Sequence, residues 1–145
     1  MRHTSTTAIL AFVVLVTASG ALLAADTVKV VGNPGTTPDI VSQRDLQRVF
    51  YKQTSKWPDG QPAEPLDQPR SSPLRKAFIE EVLGKTVAQV ESHWQTQVFS
   101  GRSGPPAVLA SDGDVLEYVR RTPGAVGYVS ADGRVDEVKV ITVRV

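Results

Sequence analysis

Residues 67–78 read Asp67-Gln68-Pro69-Arg70-Ser71-Ser72-Pro73-Leu74-Arg75-Lys76-Ala77-Phe78, and at this point the chain changes from extended to helical. Before it lies Thr54-Ser55-Lys56-Trp57-Pro58-Asp59-Gly60, and the four breakers Pro58, Gly60, Pro62 and Pro65 leave room only for a short extended piece near Ala63 to Leu66. At Ser72 a helix begins. Ser72 takes the N-cap and Pro73 the first helical position, where a missing N–H costs nothing. Leu74, Ala77, Phe78 and Val82 then recur inward at helical spacing, and Gly84 stops the run.

Working outward, Thr27 to Val31 reads as a strand ending in the Gly32-Asn33-Pro34-Gly35 turn. The next helix has Ser42 as N-cap, Asp45 at N3, and Val41 placed to staple onto Leu46; Leu46, Val49 and Phe50 form its apolar face. A third helix starts with the capping box Thr86…Gln89 and aligns Val87, Val90, Trp94 and Val98. A fourth starts at Ser111 with Asp114 at N3, buries Val115, Leu116 and Val119, and ends at Thr122-Pro123-Gly124. Two strands, Ala125 to Val129 and Glu137 to Val143, flank an Asp132-Gly133 turn. The expected architecture is α/β, a small mixed sheet carrying about four helices.

The chain has 145 residues, 41% hydrophobic and 21% charged, values that suit one globular domain. Arg2 and His3 precede the apolar run Ala8 to Val16, and small residues end at Ala24-Ala25-Asp26. That order predicts a signal peptide over residues 1–25, a folded domain over 26–145, and a periplasmic or secreted address. Without Arg2 the domain has equal numbers of basic and acidic side chains. Such a balance offers nucleic acid no electrostatic footprint, and no later segment is apolar enough to span a membrane. There are no cysteines, so disulfides, thiolate metal sites and a cysteine nucleophile are excluded.

Little catalytic machinery is legible. His93 is the only histidine of the predicted domain and reads as a partly exposed helix residue beside the core position Trp94. A hydrolytic triad, a metal site and a nucleotide phosphate loop all lack their residues, so no catalytic residue, metal or cofactor is expected. Glu80, Glu81 and Glu91 read as solvated helix faces, and Trp57 is open between the core and a stacking surface. One feature suits a ligand. The helix start at Ser72 combines first-turn N–H groups and a partial positive charge with the hydroxyls of Ser71 and Ser72 and with Arg70 and Arg75. The same residues also make an ordinary capped helix start.

Several pieces of the chain resemble, in order, the periplasmic phosphate-binding proteins that feed ATP-driven importers. They are Leu46 to Phe50, Lys56-Trp57-Pro58-Asp59, Ser72 with Phe78 six residues later, and Thr122-Pro123-Gly124-Ala125-Val126-Gly127-Tyr128. The resemblance runs from about Val28 to Val143 and covers one of that family's two lobes, the type 2 periplasmic binding fold. It implies a non-catalytic solute-binding module with an anion site at Arg70, Ser71, Ser72, Leu74 and Arg75. The ligand would be phosphate or another small oxyanion.

The family's site motif reads Arg-x-Asp-Gly-Ser-Gly-Thr, and this chain departs from it. Gln68 stands for the arginine, Arg70 for the aspartate, Ser71 and Pro73 for the glycines, and Leu74 for the threonine. Those changes delete a bidentate cation, an N–H and a hydroxyl, so binding is expected to be weak. The alternatives are docking to an envelope protein through a vestigial pocket, or a homodimer that rebuilds a cleft.

Overall fold

The computed structural model describes residues 27–145; the segment read as a signal peptide lies outside the described residues. Twelve elements follow in order: β1 (Val28–Gly32), β2 (Ile40–Ser42), α1 (Gln43–Phe50), β3 (Glu64–Asp67), α2 (Pro73–Ala77), a π-helical turn (Phe78–Val82), α3 (Val87–Phe99), β4 (Ala107–Val108), α4 (Asp112–Arg121), β5 (Ala125–Ser130), β6 (Lys139–Val140) and β7 (Thr142–Arg144). Five strands form a mixed sheet in the order β4-β3-β5-β1-β6, and β2 pairs with β7 in a separate parallel ribbon. β1 runs antiparallel to β5 and β6, whereas β3 is parallel to β4 and β5. The expected α/β class, mixed sheet and four helices are all present.

The alternation of β5 separates two cores. Val126 and Tyr128 face one side of the sheet, where Leu46, Val49 and Phe50 of α1, Phe78 and Ile79 of the π turn, and Val90 and Trp94 of α3 are buried with them. Ala125 and Val129 face the other side with Val31 and Leu66, against Val115 and Val119 of α4. Gly127 lies under α4, and a Cβ there would stand 2.8 Å from Val115 Cγ1. Each fully buried aliphatic side chain contributes about 1.5–3 kcal/mol. Two faces covered by helices therefore hold a small sheet without cross-links.

Local chemistry sets the helix boundaries. Ser42 accepts from the Asp45 N–H, and Val41 and Leu46 are both buried, so cap and staple form as expected. Thr86 and Gln89 complete their reciprocal box. α2 differs. Leu83 N–H reaches Phe78 O at 3.0 Å, an i→i+5 bond that widens the last turn. The wide turn buries Phe78, Ile79 and Leu83 and leaves Val82, expected inward, only partly covered. Gln43 and Gln47 of α1 then donate to the Val82 and Leu83 carbonyls at 2.9 and 2.6 Å, satisfying the helix end.

The predicted last strand, Glu137 to Val143, is two strands instead. Glu137 adopts φ +64°, which no extended chain can hold, so pairing begins only at Lys139. Buried Ile141 donates to Val30 O and Thr142 to Asp39 O, which carries the chain from the main sheet to the β2 ribbon. The short strands β2 and β4 were not expected from the sequence. Val98, aligned with the apolar face of α3, is exposed near the helix end, as is Phe99.

Candidate functional site

β3 ends at Asp67, and the next eight residues bring Arg75 back beside it. Arg75 Nε lies 3.3 Å from Asp67 Oδ2, and Arg75 Nη1 lies 3.4 Å from Glu91 Oε1 on α3. Arg70 Nη2 approaches the other oxygen of Glu91 at 2.7 Å. The two arginines differ in setting, the Arg75 side chain being 7% exposed and that of Arg70 80%. Breaking the buried pair by removing one partner would cost about 3–5 kcal/mol. The exposed Arg70–Glu91 contact is worth about 0–1 kcal/mol.

Behind this ion cluster is a polar network that joins β3, β5 and α4. The Tyr128 hydroxyl donates to Asp67 Oδ1 and accepts from the Gln68 N–H at 3.1 Å. Gln68 is buried, and its Nε2 donates to the Tyr128 carbonyl and to Asp112 Oδ1, both at 2.9 Å. Asp112 Oδ2 accepts from the Ser130 N–H. Burial, and then the Asp67 carboxylate, push the Tyr128 phenol far above its usual range. The ring stacks on Phe78 with centroids 4.1 Å apart, so the network is anchored to the core below α2.

The predicted anion residues are only partly brought together. Arg70 and Ser71 are exposed, Ser72 and Leu74 are half-buried, and Arg75 is buried. Ser72 N–H donates to Pro69 O and Arg75 N–H to Ser72 O, while Pro73 has no N–H to offer. The Leu74 amide is then the first-turn donor left over among the described residues. Ser72 makes no side-chain cap bond, contrary to the ordinary-cap expectation, so its hydroxyl is not spent on its own helix. The Leu74 side chain packs on the core and lines a shallow 410 Å³ depression that neither arginine lines.

One expectation is corrected, and one open alternative is settled. Glu91 is no solvated face: its side chain is 25% exposed and holds both arginines. Trp57 is 2% exposed within the core, and its indole N–H has no partner among the described residues, so it offers no stacking surface. His93 is half-buried as expected. Its Nε2 lies 3.3 Å from Tyr51 O, and its ring packs between Tyr51 and Trp94.

Sequence reasoning gives Asp67, Asp112 and Tyr128 no role at the site and takes Glu91 for a solvated face. For Asp67 the signal was the 67/75 spacing across a tight strand-to-helix turn. Glu91 had none, because α3 meets Arg75 only through the tertiary fold. The gap beside the cluster, lined by Phe50, Asp67, Phe78, Trp94 and Pro106, is about 20 Å³, too small for a phosphate. A groove of about 370 Å³ lies elsewhere, between Val28, Val30, Val82, Val140 and Val143, and none of the predicted site residues lines it.

No protein-family model matches the chain, and no curated protein matches it in sequence. Solved structures do match in fold. A phosphate ABC transporter substrate-binding protein from Clostridium perfringens, with bound phosphate, is similar at TM-score 0.63 and 15% identity over 81% of this chain and 45% of its own. An ABC-type phosphate transport receptor from Vibrio cholerae gives 0.61 and 20% over 81% and 46%. PstS from Borrelia burgdorferi gives 0.59 and 16% over 81% and 47%. This chain thus spans less than half the length of those proteins, and it has the fold of one lobe of a phosphate-type substrate-binding protein.

Proposed function

We propose that the chain is an exported, non-catalytic binding module of the cell envelope whose β3–α2 junction takes a small oxyanion weakly. One observation carries the reading: Arg70 and Arg75 meet on Glu91 at a strand-to-helix junction whose Ser72 hydroxyl caps nothing, in a fold shared with phosphate-binding receptors. Two features support weakness. The cations are already paired with Glu91 and Asp67, and Arg70 and Ser71 are exposed, so an anion there stays hydrated and its charge contacts are screened. Export follows from the apolar N-terminal run ending in small residues.

A second reading, docking to an envelope protein through a vestigial pocket, is favoured by the internal pairing of Arg75. A residue whose charge is satisfied inside the fold has no need of a ligand. Isothermal calorimetry with phosphate and sulfate tests the first reading. Dissociation constants in the millimolar range support it, absent heat leaves docking, and a micromolar constant contradicts both and points to a transport-type receptor.

A further inference from the structure

We propose that Glu91 is a built-in counter-anion, occupying the guanidinium pair that a small tetrahedral oxyanion would otherwise take. The inference rests on the anion-binding reading above. The two oxygens of Glu91 are divided, Oε2 on Arg70 and Oε1 on Arg75, so one carboxylate bridges both cations as an oxyanion would. Arg75 does not depend on this bridge, since Asp67 supplies a second carboxylate to its Nε from the strand it follows. Arg70 is different: its side chain is 80% exposed, and Glu91 is its ion-pair partner.

Glu91 also comes from α3, an element separate from the loop and helix that carry the arginines and serines. A doubly charged anion at the arginines must displace this carboxylate or sit against a like charge. Either lowers affinity without removing any attractive group, which is selection by a repulsive element. The buried backing network of Asp67, Gln68 and Tyr128 stays intact when Glu91 leaves, because none of its hydrogen bonds ends on Glu91.

The test titrates inorganic phosphate, and separately sulfate, into the wild type, Glu91→Gln, and Glu91→Gln with Arg70→Ala, each checked by a thermal melt. The neutral glutamine is expected to bind phosphate at least tenfold more tightly than the wild type, and the double variant to lose that gain. A folded Glu91→Gln protein with unchanged or weaker affinity overturns the proposal. If the glutamine variant does not fold, Glu91→Asp withdraws the charge by one methylene; a several-fold gain supports the proposal and equality with wild type overturns it. An unchanged variant beside a millimolar wild type removes only the role of Glu91, whereas a micromolar wild type removes the weak-binding reading itself.

Discussion

Tyr128 shows how one side chain couples the core to the candidate site. Its ring is stacked in the core, while its hydroxyl holds the Asp67 carboxylate that in turn receives Arg75. Because burial and Asp67 raise its ionisation far above the usual value of 10.0, the folded chain keeps a proton that the unfolded chain releases near that pH. The linked stability is therefore fully present below about pH 10 and is lost as pH rises above it. Tyr51 and Tyr118 shift in the same direction, so replacing Tyr128 reduces the alkaline loss without abolishing it. Tyr128→Phe is expected to lower stability at neutral pH by about 1–2 kcal/mol, since Asp67 Oδ1 keeps the Gln68 N–H as donor. Urea unfolding at pH 7 and pH 10.5 checks both parts: the gap between wild type and variant should narrow at the higher pH.

At the scale of elements, the cap residues separate a sequence signal from its use. Ser42 and Thr86 accept backbone N–H bonds, so Ser42→Ala and Thr86→Ala should each cost about 1 kcal/mol. Ser72 occupies an equivalent position but caps nothing, and Ser72→Ala should change stability by only a few tenths of a kcal/mol. Denaturant melts of the three variants decide this, and a Ser72→Ala loss equal to the others would place its hydroxyl on the helix after all. The helices were legible because caps and 3.6-residue spacing are local. β2 and β4 were not, being three and two residues long and existing only through Thr142 to Arg144 and Leu66 to Asp67, their distant partners. The π turn was equally hidden. Phe78, Ile79 and Val82 allow either register, and packing against α1 and Tyr128 selects the one that buries Ile79.

For the whole molecule, the sheet brings the end of β3, α2 and the middle of α3 to one place, where Asp67, Arg75 and Glu91 pair at the candidate site. The positive half of this candidate, Arg70 and Arg75 with the serines between them, lies within one short run and is legible in the sequence. The negative half is not, because Glu91 and Asp112 reach the junction from separate helices and have no spacing that announces it. The outcome is a lobe of phosphate-receptor fold whose cations are answered from within. The most direct test is a phosphate titration followed by ¹H–¹⁵N spectra of the labelled protein. The account predicts shifts confined to amides and side chains of Arg70 to Arg75 and to Glu91, still unsaturated below the millimolar range. Saturation at micromolar phosphate, or shifts centred on another face, would contradict it.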